Sequence, residues 1–148
     1  MDLQQVFNSI TDLLKNSDLT LYDCKHILDN DYNNIERDDY QDHITVSDEG
    51  YTRNLVYTND LLDCYLLCWL PGQKSPYHFH PDRGCIYKVL SGNLTEVKHL
   101  TDKTKKTTIL HQGNCGYIDN NEGSHKMINT GEEMVVSLHF YSPSGFYK

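Results

Sequence analysis

Hydrophobic and polar positions repeat with two different periods along this chain, and the change falls near residue 50. In the first part Leu3, Val6, Phe7, Ile10, Leu13 and Leu14 recur three and four apart, with Gln4, Gln5, Asn8 and Asp12 between them. That spacing gathers the apolar side chains into one stripe of an α-helix. Asn16-Ser17-Asp18 ends the helix, and Asp18 is placed to cap a second one whose weaker stripe is Tyr22, Ile27 and Leu28. Asn30 to Asn34 is a cluster of helix breakers, and a short third helix is expected over 35–42. From Tyr51 the pattern becomes that of strands. They are expected over 51–57, 64–70, 86–90, 94–100, 107–111, 116–118, 126–128 and 134–141, punctuated by Gly72, Ser91-Gly92-Asn93, Gln112-Gly113-Asn114, Glu122-Gly123 and Thr130-Gly131. Many short strands with turn residues between them predict a mainly β protein, a sandwich or barrel. The expected layout is one domain over 1–148, with a mostly helical cap over 1–46 packed on one side of a β-barrel over 51–143.

Composition narrows the function. A chain of 148 residues is long enough to bury a core. Its formal net charge of -8 and pI of about 5.3 argue against binding to nucleic acid or anionic membranes, which calls for clustered Lys and Arg. The short basic run Lys103 to Lys106 reads as a solvated hairpin tip. No apolar stretch is long enough to cross a bilayer, and Met1-Asp2-Leu3-Gln4 lacks the basic flank of a signal peptide. Five cysteines without framework spacing imply free thiols and a reducing cytoplasm. Cys24, Cys64, Cys68 and Cys115 read as buried small hydrophobes.

Candidate chemistry centres on His78-Phe79-His80. On a strand, residues two apart face the same way, so both imidazoles can aim at one point and begin a metal site. His125 is the candidate third ligand, while His26, His43, His99 and His111 read as ordinary surface or core histidines. Near the end of the chain, Ser137, His139 and Tyr141 alternate onto one face of a strand, with Val136, Leu138 and Phe140 on the other. That parity lets Ser137 orient His139, and His139 hold the Tyr141 hydroxyl. A hydrolase reading of the Ser-His pair lacks the Gly-x-Ser-x-Gly elbow.

The spacing Gly72-x5-His78-x-His80-x4-Cys85-x6-Gly92 resembles the first motif of the cupin superfamily, with Cys85 where a glutamate is usual. Gly113, His125 and Asn129 resemble the second motif. The resemblance implies a double-stranded β-helix, or jelly-roll barrel, with His78, His80 and His125 lining its interior. Three neutral imidazoles without a carboxylate would leave a divalent ion its full charge, which favours an anionic substrate such as a thiolate.

Four blocks narrow the resemblance to the cysteine dioxygenase family: Tyr51-Thr52-Arg53-Asn54-Leu55-Val56; His78-Phe79-His80 with Cys85; Lys88-Val89-Leu90-Ser91-Gly92-Asn93-Leu94; and Ser137-Leu138-His139-Phe140-Tyr141-Ser142-Pro143. The resemblance implies oxidation of L-cysteine by O2 to cysteine sulfinic acid. It implies Fe(II) held by His78, His80 and His125, and Arg53, assisted by Tyr51, on the substrate carboxylate. It further implies a Ser137–His139–Tyr141 relay, a Cys85–Tyr141 thioether, a cis Ser142–Pro143 peptide and a cytoplasmic monomer. Gly84 stands where many members have His. Mammalian-type members continue well beyond the Ser-Pro pair, where this chain offers Ser144 to Lys148 to shield the pocket. The alternatives are a dioxygenase for 3-mercaptopropionate, whose family tends to carry Gln at the Arg53 position, a non-catalytic metal-binding cupin, and a hydrolytic zinc site.

Overall fold

The computed structural model describes residues 2–29 and 35–146. The breaker cluster expected at Asn30 to Asn34 lies outside the described residues. Asp2 starts the first helix: its carboxylate accepts from the Gln5 backbone N–H, and the Gln5 side chain accepts from the Asp2 N–H, both at 2.8 Å. This reciprocal cap satisfies donors that a helix start leaves open. Helix α1 (Leu3–Leu14) then buries Leu3, Val6, Phe7, Ile10 and Leu14 along the expected stripe.

The second helix departs from expectation in both start and winding. It is a 3-10 helix over Leu21–Leu28 capped by Thr20, whose partner in the reciprocal cap is Asp23. Asp18 is not the cap; its backbone N–H is held by the Asn16 side chain in the turn before. Three residues per turn aligns Leu21, Cys24 and Ile27 on the buried side. Tyr22 therefore leaves the stripe and is 65% exposed, with its ring edge-on to Tyr117. The third segment is α2 (Arg37–Tyr40), continued by a 3-10 turn over Gln41–His43.

Eight strands follow among the described residues: β1 (Thr52–Thr58), β2 (Asp63–Trp69), β3 (Cys85–Ser91), β4 (Leu94–Leu100), β5 (Lys105–Leu110), β6 (Cys115–Ile118), β7 (Gly123–Ile128) and β8 (Val135–Tyr141). They form an antiparallel five-stranded sheet in the order β1-β2-β8-β3-β6 and a three-stranded sheet in the order β5-β4-β7. Lys103 sits in the β4–β5 turn with φ 71°, but Lys105 and Lys106 already belong to β5, so the basic run is only partly a hairpin tip.

Strand β8 shows how the layers are arranged. Val136, Leu138 and Phe140 join the core that packs the five-stranded sheet against α1 and the 3-10 helix. On the opposite face, Tyr141 joins a second core between the two sheets, with Leu67, Trp69, Tyr87 and Met127. Ser137 and His139 share that inward face and are 1% and 2% exposed, so the row does not face solvent. Alternation on one central strand thus separates the structural core from the chemistry.

Candidate metal and substrate site

His78 and His80 do not lie on a regular strand. Pro76 and Pro81 bracket them, and proline cannot donate to a ladder. Isolated bridges, Lys74 to Ile128 and His78 to His125, tie this extended segment to β7. Alternation survives without the strand: Phe79 is 63% exposed, while His80 is fully buried. The β7 partner His125 is 1% exposed and presents its ring to both.

The ligand atoms of His78, His80 and His125 all lie within 4.8 Å of one another. His125 Nε2 is 3.0 Å from His80 Nε2 and 3.1 Å from His78 Nε2. The outer nitrogens explain what this means. His78 Nδ1 is 3.0 Å from the Pro76 carbonyl and His125 Nδ1 is 2.8 Å from Glu96 Oε2. Carbonyl and carboxylate oxygens accept, so each Nδ1 carries its proton and each Nε2 offers a lone pair. Two lone pairs 3.1 Å apart repel unless a cation lies between them, so this donor set fits a divalent ion. His80 is different: its backbone is pinned by Asn120 from both sides, while its buried Nδ1 has no hydrogen-bond partner among the described residues.

Burial keeps these rings neutral, which is the form that binds metal. It lowers the basicity of His78, pushes His80 down to about 2 with help from its histidine neighbours, and holds His125 well below the usual range. The His125–Glu96 contact is therefore a hydrogen bond from a neutral imidazole rather than an ion pair. Glu96 also accepts from the Tyr87 hydroxyl. Burial pushes the Glu96 carboxyl up, and the Tyr87 bond and Lys98 pull it back.

A cavity of about 160 Å³ opens onto His78 and His125, lined also by Tyr51, Arg53, Leu67, Trp69, Met127, His139 and Tyr141. Arg53 is the cationic side chain of this lining, and no carboxylate joins it there. Its guanidinium carbon stands 4.6 Å from the Tyr65 ring centre, and Tyr65 meets Tyr141 edge-on at 5.9 Å. Tyr51, just before β1, stacks on Trp69 at 4.3 Å.

Ser137, His139 and Tyr141, the residues expected to form a relay, come together on the inward face of β8. His139 Nε2 is 2.8 Å from Ser137 Oγ, and its Nδ1 is 3.4 Å from the Tyr141 hydroxyl. Ser137 also accepts from the Trp69 indole N–H at 3.0 Å. Cys85 is paired directly with Tyr141 across β3 and β8, and burial raises its thiol well above the usual range. Ser142–Pro143 is cis, as expected. Gly84 has φ 87°, a conformation that favours glycine, and a Cβ there would sit 2.6 Å from the Tyr117 ring, which would have to shift to admit a side chain.

Other residues fall outside the cluster. His26, His99 and His111 are exposed and His43 is half-buried. Asn129 braces the turn before β8, donating to Trp69 and Glu133 carbonyls and accepting from Gly131. Cys115 is half-buried rather than fully buried; all five thiols are free. Among the described residues no helix is long and apolar enough to cross a membrane. Trp69, Glu96, Tyr87 and Tyr65 were not singled out by sequence. Strand parity carried a signal for two of them, since Glu96 shares the inward parity of Leu94 and Tyr87 that of Cys85.

Two packed antiparallel sheets with three imidazoles converging between them define a cupin with a candidate metal centre. Solved structures share this fold: a Klebsiella pneumoniae protein with a double-stranded β-helix domain (TM-score 0.62, 20% identity, covering 71% of this chain and 87% of that one) and a Bordetella pertussis cupin domain (TM-score 0.51, 18% identity, 64% and 95%). The chain belongs to the cysteine dioxygenase type I family, which it matches over residues 2–146. Bos taurus cysteine dioxygenase type 1 is 40% identical over 102 residues, covering 63% of this chain and 51% of the bovine protein. The Danio rerio protein of the same name is 27% identical over 151 residues, covering 95% of this chain and 74% of that one. The chain thus spans about half the length of the bovine relative in the region they share.

Proposed function

We propose that this chain is a thiol dioxygenase that converts L-cysteine and O2 to cysteine sulfinic acid, with His78, His80 and His125 holding a mononuclear Fe(II). The observation that carries the reading is a cluster of three neutral imidazoles, two of which, His78 and His125, line a cavity that also contains Arg53 and no carboxylate. Such a site favours a small substrate with one anionic group for the arginine and another for the metal. Bound Fe(II) would supply a redox-active Lewis acid with positions open to a thiolate and to O2. The sulfur gives up the electrons that both oxygen atoms take up, so no external reductant enters.

In this reading Arg53 offers its planar fork to the substrate carboxylate, and Tyr65 supports the guanidinium from below. Tyr51 closes the same side of the cavity. Tyr141 presents its phenol to the substrate, and His139, steadied by Ser137, holds that hydroxyl in place. Cys85 and Tyr141 form a thioether: one S–H and one ring C–H are replaced by a C–S bond, and O2 accepts the two hydrogens. Residues 1–148 act as one unit, a helical cap over 1–46 and a barrel over 51–143, working as a monomer in a reducing cytoplasm that suits five free thiols.

The test is oxygen uptake by Fe(II)-loaded protein with L-cysteine and, in parallel, with 3-mercaptopropionate. Uptake with cysteine and a sulfinate product supports the reading. Preference for 3-mercaptopropionate would overturn the substrate assignment, and bound iron without uptake would favour a binding module.

A further inference from the structure

We propose that Tyr87 and Glu96 form a positioning pair for His125, and that Tyr87 also fixes the spacing between that ligand and the relay histidine His139. The proposal rests on the three-histidine metal reading and adds residues to it that lie outside the cavity lining.

The pair bridges the two sheets. Glu96 lies on β4, where its register partner is Met127, two residues from His125 on the same face of β7. Its Oε2 accepts the His125 Nδ1–H at 2.8 Å and also the Tyr87 hydroxyl. Tyr87 belongs to the other sheet, on β3, where it is paired with His139 on one side and Gly116 on the other. Its ring centre is 5.4 Å from that of His125 and 5.6 Å from that of His139. One side chain therefore touches a candidate ligand and the relay, and its hydroxyl reaches the carboxylate that orients the ligand.

Two observations separate this from simple core filling. Tyr87 is 1% exposed, and a ring that only filled space would bury its hydroxyl at a cost with nothing gained. Here the hydroxyl is directed at the same oxygen that holds His125. Secondly, β6 makes room for the ring: a Cβ on Gly116 would overlap Tyr87 Cε2. The site is thus shaped around Tyr87 from the neighbouring strand. Glu96, 3% exposed, needs more than one donor to be held as a buried acceptor, and Tyr87 supplies the second. Partners of this kind orient metal-binding imidazoles and fix their tautomer.

The experiment measures Co(II) and anaerobic Fe(II) affinity by chelator competition, together with the tautomer of His125 from its ring-nitrogen shifts in metal-free protein. Three forms are compared: wild type, Tyr87→Phe and Glu96→Gln. Glu96→Gln is expected to weaken Co(II) binding by about 10–100-fold. Tyr87→Phe keeps the ring and is expected to weaken it by about 2–10-fold, the worth of one hydrogen bond, with a smaller Nδ1–H population at His125. The Phe variant decides the matter by itself if the Gln variant fails to fold. Wild-type affinity and tautomer in Tyr87→Phe would overturn the pair while leaving the metal site intact. Failure of wild type to bind either ion would overturn the three-histidine reading and the pair with it.

Discussion

Trp69 donates its indole N–H to Ser137 Oγ at 3.0 Å, and this bond sets the direction of the Ser137–His139–Tyr141 hydrogen bonds beyond it. An indole nitrogen only donates. Ser137 therefore accepts there, and its own hydrogen has His139 Nε2 as acceptor 2.8 Å away. His139, kept neutral by burial, then carries its proton on Nδ1, facing the Tyr141 hydroxyl. Trp69→Phe keeps most of the packing and removes the donor. The expected result is a fall in kcat of about 2–10-fold, the worth of one hydrogen bond, with little change in the KM for cysteine. Steady-state kinetics check it; an unchanged kcat would mean that Trp69 does not act on the relay.

Arg53 is the cation that lines the cavity. Arg53→Gln removes the charge and the fork while leaving a polar side chain of comparable reach. A hydrogen bond to a charged group contributes about 1.5–3 kcal/mol, so the KM for cysteine should rise by about 10-fold or more. A KM equal to that of wild type would remove the carboxylate clamp from the account.

Cys85 and Tyr141 are direct cross-strand partners, so a thioether between them needs no rearrangement of the backbone. Protein exposed to iron, cysteine and O2 should lose two hydrogens from its intact mass, and peptide mapping should link the two residues. Cys85→Ser should abolish that loss. A mass deficit that persists in the serine variant would place the cross-link elsewhere.

Much of this was legible in the sequence because alternation is a strong signal. Ser137, His139 and Tyr141 were readable as one face, and the structure puts that face inside. The α1 stripe was readable for the same reason. Tyr22 misled because the second helix winds three residues per turn, so a period of 3.6 assigns the wrong face, and Asp18 misled because the helix starts only at Leu21, with Thr20 as its cap. Partners across sheets were harder. Trp69 on β2 meets Ser137 on β8, 68 positions later, and Tyr87 and Glu96 meet only when the two sheets close on each other. Parity says which residues point inward but not which inward residues touch.

The buried imidazoles also make metal-free protein acid-sensitive. His80, His125 and His139 have basicities lowered by burial, so below the unfolded value of about 6.5 the unfolded chain binds more protons than the folded one. Their contribution is fully present above that value and is lost as the pH falls through and below it. Each ring contributes a slope of about 1.4 kcal/mol per pH unit while it is protonated only in the unfolded chain. Urea unfolding of metal-free protein should therefore show lower stability at about pH 5.5 than at about pH 7.5. Equal stability at both would mean that these rings are not held neutral by the fold.

A dioxygenase places both atoms of O2 on the sulfur of cysteine, and turnover under isotopically heavy O2 follows those atoms. Fe(II)-loaded protein turning over L-cysteine under heavy O2 should give cysteine sulfinate with both sulfinate oxygens heavy, and one O2 consumed per sulfinate formed. Oxygen uptake that instead yields cystine with reduced oxygen species, or sulfinate whose oxygens come from water, would contradict the dioxygenase account.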